Sequence, residues 1–272
     1  MGAERLPEIP EAVAKGSVAA TYADLRRVLG LPLVNTVYRV LAVEPGRVER
    51  IWAELRGNLL SPQARAGAAE LASVEAPRVE PLPAAALAVT GLDAPRAAAT
   101  LAAYRRGNSH NALALWALLD GVDSTARPEP PEPAGDAPPA ILPIADLATL
   151  PPSSLRLLEE MSEPITGAER PLLVPGLLRH FAHDPCLLAL LWAALRPALL
   201  GDGLAGRAAA VGERARELAR GLPYRVTRLD DEEARRIVGR FTGAIAHMLI
   251  IGSLLEAALA EALPLSRPTD RS

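Results

Sequence analysis

The 272-residue chain has a single cysteine, Cys186. An internal disulfide and a CxxC pair are both excluded, and a reducing, cytoplasmic setting is expected. Aromatic residues are almost as scarce, at 3% against 50% apolar residues overall. Leucine and alanine must therefore fill the core, a composition that favours helices over sheets. No useful length of the chain alternates with period two, so no sheet is expected. The formal charge is −3 and the arginines are spread along the chain. Without a basic face there is no reason to expect nucleic acid as a partner. A P-loop, a dinucleotide fingerprint and a G-x-S-x-G elbow are all missing, and nothing in the sequence calls for a cofactor. The first sixteen residues carry acids and prolines where an export signal carries an apolar run. Gly243 to Ala260 is long enough to span a membrane, but His247, Gly252, Ser253 and Glu256 interrupt it. A buried bundle helix is expected there, not a membrane contact.

What the chain does have is a repeat. Pro171 to Leu200 restates Leu33 to Leu60 at a constant offset of 140 (173 − 33), matching Leu33 with Leu173, Arg39 with Arg179, Pro45 with Pro185, Trp52 with Trp192 and Arg56 with Arg196. Leucine matches are cheap in this composition, but the chain has only three tryptophans and two fall in register. An internal duplication follows, giving an all-α pseudo-dimer. Its first helical repeat covers residues 1–125 and its second 141–272, with the Pro-rich stretch 126–140 as a semi-rigid linker.

Local signals set the expected helix ends. Ser17 reads as the first N-cap, with Gly30 and Pro32 as the stop. A second helix is expected from Leu33 to the Glu44-Pro45 joint and a third from there to about Leu60. Ser61-Pro62, Asp93 with Pro95, Ser153-Ser154, Asp184-Pro185 and Asp230 or Asp231 each read as helix starts. Gly107, inside the long helix after Asp93, predicts a close helix contact or a kink.

Three groups could carry chemistry. Asn108, His110 and Asn111 place polar groups in an Ala/Leu helix, where each needs a hydrogen bond or a ligand. His180, His183 and Asp184 resemble a metal or acid–base cluster, but Asp-Pro is the ordinary start of a helix and Glu44-Pro45 repeats the joint without histidine. Asp184 is thus read as a cap, and no metal site is assigned. Cys186 aligns with Gly46 and reads as a small, partly buried residue.

The run ATYADLRRVLGLPLVNTVYRVLAVEPGRVERIW, the YRRGN and ERARELARGLP segments and the final helix, in this order around a Pro-rich linker, resemble the group I DL-2-haloacid dehalogenases, also catalogued as the halocarboxylic acid dehydrogenase family. The resemblance runs from about Ala19 to Leu263. It implies one cofactor-independent site between the repeats, where an aspartate activates water to displace halide with inversion. It carries the pocket onto Leu33, Thr36, Asn108, Gly176, Leu177, Ala244 and Met248. Anchored on Pro185, the aspartate position falls at Leu177, and no acid occurs between Arg170 and His183. The family's pocket aromatics become Leu33 and Thr36, and its phenol in the last helix becomes Ala244 or Met248.

The expectation is a family member that has lost the hydrolytic base and binds a small carboxylic acid or hydrophobic molecule between the repeats. An alternative is an active dehalogenase with His180 as substitute base, or with Asp184 if the register shifts. A further alternative is a structural or interaction protein, or a thiol peroxidase of the alkylhydroperoxidase-D type, against which the lone Cys186 argues. A homodimer is compatible with all of these.

Overall fold

The computed structural model describes residues 6–126, 138–167 and 172–263. The elements run α1 (Gly16–Leu29), α2 (Thr36–Leu41), α3 (Arg47–Leu59), α4 (Pro62–Ala72), α5 (Ala84–Ala88), α6 (Ala94–Asp120), α7 (Pro152–Thr166), α8 (Gly176–His180), α9 (Pro185–Leu200), α10 (Gly203–Arg220) and α11 (Glu232–Ala258), after a 3-10 turn at Glu11–Val13. The fold is all-α. Among the described residues the one β interaction is an isolated antiparallel bridge between Val122 and Val226. Most of the linker read at 126–140 lies outside the described residues.

Where a polar side chain can satisfy the exposed N–H groups of a first turn, the helices start where the sequence says. Ser61 accepts from the Ala64 N–H, Asp93 from Arg96, Asp184 from Cys186 and Leu187, and Asp231 from Ala234. Gly30 ends α1 in the left-handed region at φ 60°, a conformation that costs glycine nothing. Other starts differ from the sequence reading. Helix α1 begins at Gly16, one residue before Ser17, with no side-chain cap. Helix α2 begins at Thr36, not Leu33, and α7 begins after Pro151, so Ser153 and Ser154 fall inside its first turn. At α7, Pro151 and Pro152 set the start by fixing φ, which makes a hydroxyl cap unnecessary. Cys186, expected to be partly buried, is exposed.

Helices α6 and α11, each 27 residues long, make the largest helix–helix contact and form the centre. Helices α4 and α10 cover them, α1 packs on α3 and α7 on α9. Helix α11 is the one described helix long and apolar enough to cross a membrane, but 72% of its most apolar window is buried against the rest of the chain. It is a core helix.

A polar clasp joins α1 to α3. Asp24 accepts hydrogen bonds from the Trp52 indole at 2.8 Å, from Arg56 Nε at 2.7 Å and from Arg27 at 2.6 Å. Partial burial opposes ionisation of this carboxyl, but the bonds from Arg56, Trp52 and Arg27 outweigh it and hold the pKa at about 2. A depressed carboxyl pKa stabilises the fold above its unfolded value near 4, and the contribution is lost as pH falls toward 2. We expect about 1–2 kcal/mol to disappear across that window. Urea unfolding at stepped pH measures it, and Asp24→Asn should flatten this part of the profile.

Candidate functional site

Two short helices pack on helices distant in sequence: α2 on α11, and α8 on α6. The space between these four helices is a cavity of about 140 Å³. It has room for roughly four or five waters, or for a ligand with about that many non-hydrogen atoms.

The helix register explains its wall. Gly107 has no Cβ, and one placed there would lie 3.0 Å from Leu31 Cδ1 and 3.2 Å from Asn35 Nδ2. The loop before α2 therefore lies directly against α6, a close contact in place of a kink. Leu33 and Thr36 line the cavity from the loop and the start of α2, Asn108 from α6, Gly176 and Leu177 from α8, and Ala244 and Met248 from α11. All seven positions named from the sequence share this one cavity. Leu177 is fully buried there, near Phe241, Ile245 and Leu173.

Four polar residues of the wall escaped the sequence reading: Arg39, Tyr104, Glu11 and Asn35. Arg39 Nη2 donates to the Thr36 hydroxyl at 3.0 Å, and its Nε lies 3.3 Å from Glu8 Oε2. Its counterpart Arg179 is used differently, with Nε and Nη2 both donating to the Ala145 carbonyl. Among the described residues Glu11 is the one carboxylate on the wall. Its Oε1 accepts the Val34 N–H at 2.7 Å, and its Oε2 lies 3.4 Å from Arg26. The segment around Ile9 and Glu11 is thus tied to the cavity rim, with the Ile9 N–H also donating to the Arg39 carbonyl.

His180 does not line the cavity. It is 3% exposed and stands behind Tyr104, the rings meeting edge to face with centroids 5.3 Å apart. Its Nδ1 lies 2.7 Å from the Leu142 carbonyl and its Nε2 lies 3.2 Å from the Tyr104 hydroxyl. Burial pushes its pKa down to about 4, against the opposing pull of the Leu142 and Pro143 carbonyls. The ring is therefore neutral near pH 7. A carbonyl can only accept, so Nδ1 carries the proton and the Nε2 lone pair receives the Tyr104 O–H.

Signals for two of the missed residues were present. Tyr104 precedes Asn108 by four residues, which puts both on one face of α6, and Arg39 was already in the repeat register. Glu11 had no local signal, because its partner Val34 is distant in sequence. His183 and Asp184, the rest of the histidine cluster, are used by structure: His183 meets the Pro143 carbonyl and Asp184 caps α9. Among the described residues no group of three or more metal-ligating side chains occurs.

No family model matches the chain, and no curated protein sequence matches it. Solved structures do. The crystal structure of a D-2-haloacid dehalogenase mutant superposes with a TM-score of 0.79 at 15% identity, covering 95% of this chain and 96% of that one. The complex of such a mutant with D-2-CPA (TM-score 0.79, 14% identity, 94% and 96% covered) and the complex of a D-2-haloacid dehalogenase with L-LA (0.79, 14%, 95% and 97%) agree. A likeness of this extent at so low an identity is one of architecture: the chain has a haloacid dehalogenase-like, all-helical fold.

Proposed function

We propose that this chain is a relative of the group I DL-2-haloacid dehalogenases that has lost the hydrolytic base and keeps the cavity between α2, α6, α8 and α11 as a binding site for a small carboxylic acid. The observation that carries the reading is Leu177, fully buried on the cavity wall at the position where the resemblance places the aspartate. A leucine there can neither deprotonate water nor hydrogen-bond it. The rest of the wall suits an acid. Leucine, phenylalanine and methionine side chains supply an apolar enclosure, while Arg39, Asn108 and Tyr104 supply a cation and two polar groups for orientation.

A working hydrolase based on His180 finds less support. Its one free lone pair already accepts the Tyr104 hydroxyl, and Tyr104 stands between it and the cavity. Glu11 is also poorly placed to act, since one oxygen accepts a backbone N–H and the other pairs with Arg26.

The same proposal includes the duplication. In its support, the helix order α1, α2, α3, α4, α6 is matched by α7, α8, α9, α10, α11, with both series ending in helices of 27 residues. Equivalent residues also repeat their local bonds. The Arg39 and Arg179 carbonyls each accept an N–H from a preceding extended segment, and His110 and His247, which align once three residues are deleted (247 − 110 = 137), each donate from Nδ1 to the carbonyl four residues back. The boundaries 1–125 and 141–272 belong to this reading.

Halide release is the direct test. Incubation with either enantiomer of 2-chloropropionate should give no halide above the buffer control, while calorimetric titration with short 2-substituted acids should show saturable binding. Catalytic halide release would overturn the loss of the base.

A further inference from the structure

Resting on the reading of the cavity as a carboxylic-acid site, the identity of the acid can be narrowed from the direction of one hydrogen bond. The Leu142 carbonyl fixes the His180 proton on Nδ1 at 2.7 Å, and this leaves Nε2 as an acceptor only. Tyr104 must then point its O–H at Nε2, 3.2 Å away. Its hydroxyl oxygen is held hard against α8, where a Cβ on Gly176 would come within 2.5 Å of it. With its proton committed to histidine, the oxygen keeps lone pairs and no donor for any other partner, and both Tyr104 and the Gly176 it abuts line the cavity. Arg39 lines the same cavity, and a guanidinium has five N–H groups, of which Thr36 takes one and Glu8 approaches another. The wall therefore presents donors to a carboxylate and an acceptor to whatever lies beside it.

We infer that Tyr104, oriented by His180, is a specificity-determining residue that selects 2-hydroxy acids over 2-halo acids. A ligand hydroxyl can donate to the Tyr104 oxygen. A chlorine cannot, and placing it there forces two electron-rich atoms together while the oxygen goes unpaired. His180 acts through Tyr104 and is a positioning residue.

The test compares three acids of one skeleton by calorimetry on the full chain: lactate, 2-chloropropionate and propionate, with both enantiomers of the first two. The expected result is that the better lactate enantiomer binds roughly tenfold more tightly than either chloropropionate, the effect of one hydrogen bond and its unmade counterpart. Tyr104→Phe should abolish the preference by bringing lactate down to the affinity of chloropropionate. His180→Phe frees the tyrosine proton to turn into the cavity, and should level or reverse the preference without removing the phenol. Gly176→Ala, which displaces the hydroxyl, gives an independent variant if His180→Phe does not fold. Equal affinity of the wild type for lactate and chloropropionate overturns the inference and leaves the carboxylate cavity standing. Absence of binding by all three acids overturns the cavity reading itself, and this inference with it.

Discussion

Replacing Leu177 by aspartate is expected to lower stability by about 3 kcal/mol at pH 7, because it removes a buried aliphatic side chain and puts a carboxylate among apolar neighbours. Leu177 has no exposed surface, and Phe241, Ile245 and Met248 share its cavity. The size of the effect is set by two opposing quantities. Leucine-to-smaller changes in a core cost about 2–5 kcal/mol, and an unpaired buried charge adds to that. The 140 Å³ beside it can admit a few waters, and these return part of the lost hydration. The charge component has a definite pH signature. Desolvation raises the carboxyl's folded pKa above its unfolded value of about 3.9, so the penalty is smallest below pH 4 and grows until the folded pKa is passed. Leu177→Asn loses the same volume without a titrating group. Its cost should be independent of pH, so urea unfolding of the two variants at pH 4 and pH 8 separates volume from charge. A cost below about 1 kcal/mol for aspartate at pH 8 would mean that water already hydrates this part of the wall.

How much of this was legible in the sequence depended on whether the cause was local. Ser61, Asp93, Asp184 and Asp231 cap helices through side-chain oxygens two or three residues from the N–H groups they satisfy, so the signal lay within one short window. The starts of α1, α2 and α7 have no side-chain cap. The serines near α1 and α7 pointed to the wrong residue because an available hydroxyl is not always used. The cavity wall was legible for a different reason. Its seven expected positions came from the repeat register together with the resemblance, which carry tertiary information that periodicity does not. Arg39, Tyr104 and Glu11 depend on which partner arrives from elsewhere in the chain. The Arg39/Arg179 pair shows this most clearly. The two arginines are equivalent in register, yet one guanidinium caps a backbone carbonyl and the other lines the cavity beside Glu8. His180 was noticed for its place beside Asp184, but its neutral state comes from burial and from Leu142, 38 residues earlier.

Asn58→Leu should prove nearly as costly as the change at Leu177, at about 3 kcal/mol, although Asn58 does not line the cavity. The side chain is fully buried and clasps one residue of the segment that leads into α11: Nδ2 donates to the Tyr224 carbonyl at 2.8 Å, and Oδ1 accepts the Tyr224 N–H at 2.9 Å. Leucine approximates the volume but leaves both backbone groups without a partner, and each such loss costs about 1–3 kcal/mol. Little regular structure can take over. The segment is otherwise held by the Val122–Val226 bridge, by the Leu229 N–H on the Leu118 carbonyl and by Glu54 on the Thr227 N–H. The consequence reaches the site through α11, which begins directly after this segment and carries Phe241, Ala244 and Met248 into the cavity wall. Hydrogen exchange distinguishes this route from a general loss of stability. In Asn58→Leu the Tyr224 and Val226 amides should exchange faster by a larger factor than those of α7, which packs mainly on α9. Uniform acceleration across all helices would place the effect in global unfolding and remove Asn58 as the clasp that sets the start of α11.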